Sequence, residues 1–112
     1  MEKVIGFRVT EAVEQFELAR RLEPESADVE LKWGLTYVMH GRPAEALPHF
    51  ERALALQPDD ADMRHALGRA LLALGRRSDA AAAFTEALRF NPTHAGAQEG
   101  LNLIRQSGVS LP

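Results

Sequence analysis

The chain carries four histidines, His40, His49, His65 and His94, and histidine is the side chain best suited to chemistry near neutral pH. Metal ligands on one helix usually lie three or four residues apart, as in His-x-x-x-His, and no two of these histidines have that spacing. We therefore expect neither a metal site nor a cofactor. Of the four, His40 is interpreted as a partner of a helix C-terminus and His49 as a solvated side chain.

Patterns for covalent catalysis and phosphate binding are also missing from the sequence. No serine, histidine and acid recur at a spacing that one helical face would unite as a triad. The segments GRPAEAL and GRRSDAA, which begin at Gly41 and Gly75, lack the Lys-Ser/Thr ending of a phosphate-binding loop. We predict that the chain is not an enzyme.

Length and composition set further bounds on the kind of protein. A chain of 112 residues is about one domain, and its formal net charge of −3 argues against nucleic acid or an anionic membrane as the main partner. No apolar run approaches the roughly 20 residues that span a bilayer. There is no cysteine, so disulfides are excluded. The default expectation is a soluble cytoplasmic protein.

Alanine, phenylalanine, alanine and proline recur along the chain with a period of 34 residues. The three copies are Ala12, Phe16, Ala19 and Pro24; Ala46, Phe50, Ala53 and Pro58; and Ala80, Phe84, Ala87 and Pro92. A repeat of this length is the signature of an architecture built from stacked supersecondary units.

The apolar spacing within each unit is helical, since Leu31, Leu35 and Val38 are separated by four and three residues. Gly41 and Gly75 are expected to end helices in the left-handed conformation, and Asp59–Asp60 and Thr93 to supply N-caps. The pattern predicts six helices and no strand. They are Thr10–Leu22, Ala27–His40, Pro43–Leu56, Ala61–Leu74, Arg77–Phe90 and Ala95–Gln106. Pro48 falls inside the third and predicts a bend on its solvent side.

The repeat resembles the tetratricopeptide repeat family, whose signature combines large residues, glycine, alanine and proline. The first full repeat supplies Trp33-Gly34, Tyr37, Ala46, Phe50, Ala53 and Pro58, and the second supplies Leu67-Gly68, Leu71, Ala80, Phe84, Ala87 and Pro92. The resemblance implies an all-α fold, a right-handed α-α superhelix of antiparallel helix hairpins. Residues 1–112 would form one domain: a half repeat (10–26), repeats 27–60 and 61–94, a capping helix (95–106) and a tail (107–112).

Some positions depart from the family pattern. Glu30 and Arg64 stand at the family's first large position, so that contact is expected to be absent or made by side-chain stems. Trp33 occupies a core position and is interpreted as packing rather than as a ligand platform. In the last helix, Asn102 and Arg105 replace the glycine and the aromatic residue, as expected of a polar-faced cap.

The resemblance also implies a peptide-binding groove lined by the first helix of each hairpin. The expected lining is Asp28, Leu31, Leu35, Val38, Met39, Asp62, His65, Arg69, Leu72, Glu99 and Leu103. In the alternative interpretation, Leu31, Leu35 and Val38 contact the N-terminal segment and leave no free groove. The carboxylate clamp by which some members hold the C-terminal tails of heat-shock chaperones is not expected, because its places hold Leu31, Leu35, Ala66, Gly96 and Gly100.

The segment Thr10–Leu22 matches the second helix of a hairpin whose first helix is missing. Three explanations are open: an excerpt from a longer array, a short lid formed by Val4, Ile5 and Phe7, or a homodimer in which two copies cover Ala12, Phe16 and Ala19. We favour the excerpt or the homodimer. The sequence as a whole predicts an adaptor or scaffold that binds a protein or peptide; the alternative is a structural spacer of a larger protein with no ligand of its own.

Overall fold

Six α-helices account for most of residues 2–107, which the computed structural model describes; it describes side chains from residue 8 onward. The helices are α1 (Glu2–Leu22), α2 (Ala27–Met39), α3 (Pro43–Leu56), α4 (Ala61–Ala73), α5 (Arg77–Phe90) and α6 (Ala95–Gln106). No strand occurs within that range. The prediction of an all-α chain with six helices is confirmed. The chain divides into two units, residues 1–58 and 59–112.

The first unit contains α1, α2 and α3, with α2 and α3 paired as a hairpin. Its core is formed by Trp33 on α2 and by Ala46, Phe50 and Ala53 on α3, the last three of which are fully buried. A Cβ built on Gly34 would lie 2.5 Å from a ring carbon of Phe50. The absence of a side chain at Gly34 is therefore what lets α3 approach α2 this closely.

The second unit repeats this arrangement with α4 and α5 and adds α6. Ala80, Phe84 and Ala87 on α5 are fully buried, and a Cβ on Gly68 of α4 would lie 2.6 Å from the ring of Phe84. On α6, the inward residues are Ala97, Leu101 and Ile104, whereas Gln98, Asn102 and Arg105 are exposed and give this helix the polar outer face expected of a cap.

The side chains that cap the helix N-termini agree with the sequence-based expectation at Asp60 but not at Thr93. Ser26 Oγ accepts from Val29 N, and Asp60 Oδ1 accepts from Met63 N at 3.1 Å, which satisfies donors that a helix leaves unpaired. The cap of α6 is His94 rather than the predicted Thr93: His94 Nδ1 accepts from Ala97 N at 3.1 Å. Thr93 instead donates to the side chain of Asn91.

The glycines that end α2 and α4 have the backbone conformation that the repeat predicts. Gly41 and Gly75 have φ angles of 74° and 79°, a region that other residues rarely adopt. The chain can therefore reverse direction at each of them and begin the next helix two residues later. Each reversal creates a hairpin.

The first helix is longer than predicted, because it begins at Glu2 rather than at Thr10. With the 34-residue period, Phe7 stands where Gly41 and Gly75 make the other two turns. A phenylalanine does not favour the left-handed conformation, so the backbone continues as helix through this position. The proposed lid of Val4, Ile5 and Phe7 is thus wrong for the backbone, which does not fold back; the side chains of these three residues lie outside the described part.

Pro48 lies inside α3, and its side chain is exposed, as the sequence predicted. In the described part of the chain, no helix has both the length and the apolar character needed to cross a membrane.

Candidate functional site

A cavity of about 550 Å³ opens in the second unit, between α4 and α6. Its walls mix apolar and charged side chains. The lining residues are His65, Arg69, Leu72, Ala73, Phe84, Gly96, Glu99, Gly100 and Leu103. A concave surface with apolar walls and a few polar groups is the usual form of a binding site.

Two glycines of α6 shape the base of this cavity. A Cβ on Gly100 would lie 2.5 Å from the ring of Phe84, and a Cβ on Gly96 would lie 2.6 Å from His65 Nε2. Both rings therefore occupy space that side chains on α6 would fill. As a result, His65 forms part of the cavity surface, and the fully buried ring of Phe84 lies directly beneath the base.

The two charged residues of the cavity, Arg69 on α4 and Glu99 on α6, are both exposed. Within the described residues, neither makes an ion pair or a side-chain hydrogen bond. Each is consequently available to a group of opposite charge on a partner.

The third polar group of the cavity is the imidazole of His65. Burial lowers the pKa of His65, the neighbouring charges of His94 and Arg69 lower it further, and Asp62 and Glu99 act in the opposite direction. The ring is therefore neutral near pH 7 and presents one donor and one acceptor.

Five of the eleven predicted groove residues meet in this cavity: His65, Arg69, Leu72, Glu99 and Leu103. The sixth residue from the second unit, Asp62, lies outside the lining and accepts a 2.7 Å hydrogen bond from His94 Nε2. This bond leaves Nδ1 of His94 as the acceptor that caps α6. Asp62 thus supports α6 rather than lining the cavity.

The other five predicted groove residues lie on α2 in the first unit. Leu31, Leu35 and Val38 are half-buried there, Met39 is 81% exposed, and Asp28 forms a 3.0 Å ion pair with Lys32. Leu31, Leu35 and Val38 form a partly exposed apolar strip, with Asp28 and Met39 at its ends.

The residues predicted for self-association, Ala12, Phe16 and Ala19 on α1, are all half-buried. Their counterparts on α3 and α5 are fully buried. One side of Phe16 packs against Trp33, with the ring centroids 5.7 Å apart and nearly parallel. The row formed by Ala12, Phe16 and Ala19 is thus covered by α2 on one side and exposed to solvent on another side.

A buried carboxylate that the sequence did not reveal joins the three helices of the first unit. Glu30 is 1% exposed. Arg20 on α1 donates to both of its oxygens, at 2.8 and 2.9 Å, and Arg52 on α3 donates at 3.2 Å. The sequence led us to expect that the contact at Glu30 is absent or made by the side-chain stem; instead, the carboxylate itself makes the contacts. No local spacing signals this cluster, since its members come from three helices.

His49 belongs to the same cluster, so its interpretation as a solvated residue is also wrong. Its Nδ1 lies 3.1 Å from Glu30, to which it donates, and its ring stacks on Trp33 with the centroids 4.1 Å apart. Trp33 is 4% exposed, the rings of Phe16 and His49 both stack on it, and the guanidinium of Arg20 lies 4.3 Å from the centre of its ring. It packs in the core, as the sequence indicated. His40 caps α2, and its Nδ1 lies 2.8 Å from Thr36 O.

Comparison with known proteins identifies the repeat. A tetratricopeptide repeat family model matches residues 31–101, more than half of the chain. A search of curated protein sequences found no match.

Several solved structures share the fold. The first tetratricopeptide domain of Spaghetti (RPAP3), solved with the HSP90 peptide SRMEEVD, has a TM-score of 0.84 at 20% identity, over 94% of this chain and 83% of that one. MamA has a TM-score of 0.82 at 23% identity, over 96% and 63%. TTC0263, a thermophilic tetratricopeptide protein of Thermus thermophilus, has a TM-score of 0.78 at 28% identity, over 88% and 50%. The chain thus spans only half to two thirds of the latter two.

Proposed function

The chain belongs to the tetratricopeptide repeat family, a fold that typically mediates protein–protein interaction without catalysis, and we propose that it binds a protein or peptide through the cavity between α4 and α6. The partner would insert an apolar side chain between Leu72 and Leu103. It would also present polar groups to Arg69, Glu99 and His65.

The observation that supports this proposal is that exposed apolar side chains share the cavity with two charged side chains that form no ion pair in the described structure. Leu103 is 52% exposed beside the half-buried Leu72. Arg69 and Glu99 stand on opposite helices with no ion pair to each other in the described structure. Apolar burial provides affinity, while the two charges orient the ligand. An extended peptide with a central apolar residue and one charge of each sign fits this arrangement.

An acidic chaperone tail does not fit. The RPAP3 domain is solved with an HSP90 peptide, but its 20% identity to this chain supports only the fold. Here the clamp positions hold Leu31, Leu35, Ala66, Gly96 and Gly100, and none of these side chains can donate a hydrogen bond. The last three are also committed to packing: Ala66 is buried, Gly96 faces His65 and Gly100 faces Phe84. We expect no binding of SRMEEVD in calorimetry.

The strip on α2 formed by Leu31, Leu35 and Val38, with Asp28 and Met39 at its ends, is proposed as a further binding surface, within the first unit. Its half-exposed leucines support this assignment, since apolar side chains of this kind gain by being covered. Self-association through Ala12, Phe16 and Ala19 concerns a different surface and stays a prediction.

Selection from a displayed peptide library, followed by calorimetry, tests the proposal. Peptides are selected on the wild-type protein and titrated into Leu103→Ser and into a matched control, Leu74→Ser, which removes an exposed leucine, 37% against 52%, outside the cavity lining. We expect Leu103→Ser to weaken binding about tenfold and Leu74→Ser to leave it unchanged. Failure to select any peptide sensitive to Leu103 would favour the alternative of a spacer without a ligand.

A further inference from the structure

We propose that the open side of α1 binds an amphipathic helix of another protein, which places a glycine against the ring of Phe16. This surface is separate from the cavity of the second unit, so the proposal does not rest on the function proposed above.

The internal repeat identifies the open surface. Phe50 and Phe84 are fully buried, whereas Phe16, at the equivalent position, is only half-buried. Leu18 and Leu22 extend the apolar surface along α1 and are 43% and 73% exposed. In a helix, residues three or four apart share a face, so Phe16 is continuous with Ala19 and Ala12, and Leu18 with Leu22.

The same chain shows twice how such a face is covered. The leading helix of each hairpin, α2 or α4, places Gly34 or Gly68 against the phenylalanine of the trailing helix. A Cβ at either glycine would lie 2.5 or 2.6 Å from a ring carbon, a distance at which the helices would have to separate. A helix that covers Phe16 in the same way must therefore also carry a glycine there.

A hairpin turn directly before Phe16 does not supply this helix. Where Gly41 and Gly75 reverse the chain, Phe7 continues the helix, and α1 runs straight back to Glu2. The backbone from Glu2 to Phe16 is therefore one continuous helix and does not fold back over Phe16. This geometry indicates that the covering helix arrives as a separate segment.

A second copy of the chain is poorly suited to the role. Its α2 and α4 already use Gly34 and Gly68 against their own trailing helices. Its α6, which follows the pattern of a leading helix, has Asn102 at the equivalent of those glycines. The Cβ of Asn102 would collide with Phe16 if the hairpin geometry were repeated.

Neighbouring residues of α1 define the chemistry of the partner. On α3, His49 and Arg52 contact the buried Glu30 of the leading helix, but the equivalent residues on α1 are Gln15 and Leu18. The partner residue that takes the place of Glu30 should therefore be apolar. Glu11 and Glu14 are exposed along the edge of the open side, so basic residues on the flank of the partner helix would be complementary.

A helical peptide made from the protein's own α4 provides the probe. It comprises residues 60–76 with Arg64→Leu, so that Gly68 is kept and the residue at the place of Glu30 is apolar. Trp33 is the single tryptophan of the chain, and its ring stacks on Phe16, so its fluorescence reports binding at this face. The peptide contains no tryptophan.

We expect saturable binding to the wild-type protein and at least about a tenfold loss of affinity with Leu18→Glu, because a charge would be buried at the contact. The matched control Leu74→Glu, which changes a 37% exposed leucine of the second unit outside the cavity lining, should bind as the wild type does. A peptide that also carries Gly68→Val should not bind. Equal binding of the glycine and valine peptides, or no binding at all, would overturn the proposal.

A tethered form of the probe avoids most of the translational and rotational entropy that two separate molecules lose on binding. The same helix, joined to Met1 through about 15 Gly/Ser residues, experiences an effective concentration in the millimolar range. We expect the Tm to rise by several degrees, and not to rise with the Gly68→Val version. Sedimentation of the untethered protein gives the other decisive outcome: a dimer that forms with concentration and is abolished by Leu18→Glu would overturn the proposal and assign the face to a second copy.

Discussion

Arg20 of α1 and Glu30 of α2 form a two-point contact, in which the guanidinium donates hydrogen bonds of 2.8 and 2.9 Å to the two carboxylate oxygens. The same guanidinium lies 4.3 Å from the centre of the Trp33 ring. One side chain of α1 thus satisfies a buried charge of α2 and covers its aromatic residue. The docking of α1 depends on polar contacts as well as on Phe16.

The Arg20 contact can be tested with Arg20→Met, which keeps an unbranched side chain over Trp33 but removes the donors. The carboxylate of Glu30, which is 1% exposed, then loses its main partner, and the free energy of unfolding should fall by about 1–3 kcal/mol. Because Arg20 is 37% exposed, solvent screening should keep the loss in the lower part of that range. Urea denaturation measures it. Arg42→Met, which breaks the exposed pair with Glu45, is the control and should leave the midpoint unchanged.

Acid should weaken the same cluster. Burial alone would raise the pKa of Glu30, but the hydrogen bonds from Arg20 and His49 outweigh burial and hold it below its ordinary value of 4.5. The carboxylate therefore stabilises the fold above pH 4.5, and this contribution is lost as the pH falls through the lowered pKa. Unfolding followed by Trp33 fluorescence should show this loss in the wild type and not in Glu30→Gln. Parallel pH profiles of the two proteins would contradict the assignment.

A second pH dependence comes from His65 in the second unit. Since its pKa in the fold lies below the ordinary 6.5, the unfolded chain takes up a proton first as the pH is lowered. His65 therefore costs no stability above pH 6.5, and stability is lost as the pH falls from there towards the lowered pKa. Thermal unfolding of the wild type and His65→Asn between about pH 7 and pH 5 measures the difference. We expect the wild type to lose more Tm over this interval.

The close approach of α4 and α5 predicts that Gly68 tolerates no side chain. Gly68→Val should lower the free energy of unfolding by about 1–3 kcal/mol or more, because its Cβ would lie 2.6 Å from the fully buried ring of Phe84. Ala73→Val, at an exposed position of the same helix, controls for the lower helix propensity of valine. Similar losses in the two variants, measured by chemical denaturation, would show that the contact does not limit the packing.

Much of the fold could be predicted from the sequence, because the repeat places small residues and helix-ending residues in register. The bounds of α3, α5 and α6 are as predicted, and Gly41 and Gly75 end the preceding helices. The expected start of α1 at Thr10 is wrong. Phe7 stands at the position of those glycines, and a phenylalanine there favours a continuous helix rather than a turn.

The candidate site was less predictable. The positions of His65, Arg69 and Leu72 follow from helical periodicity, which is why they share one cavity wall. The cluster around Glu30 depends on contacts between residues 10 to 22 positions apart and on three different helices, and no local pattern encodes such contacts.

The central claim is that Phe16, Phe50 and Phe84 hold equivalent positions and that only Phe16 lacks a leading helix. The most direct measurement is the loss of unfolding free energy for Phe16→Ala, Phe50→Ala and Phe84→Ala, each determined by chemical denaturation. For the two fully buried rings we expect about 3–5 kcal/mol, from lost burial and a cavity, and for the half-buried Phe16 clearly less than half of that. An equal loss at all three positions would contradict an open face at Phe16.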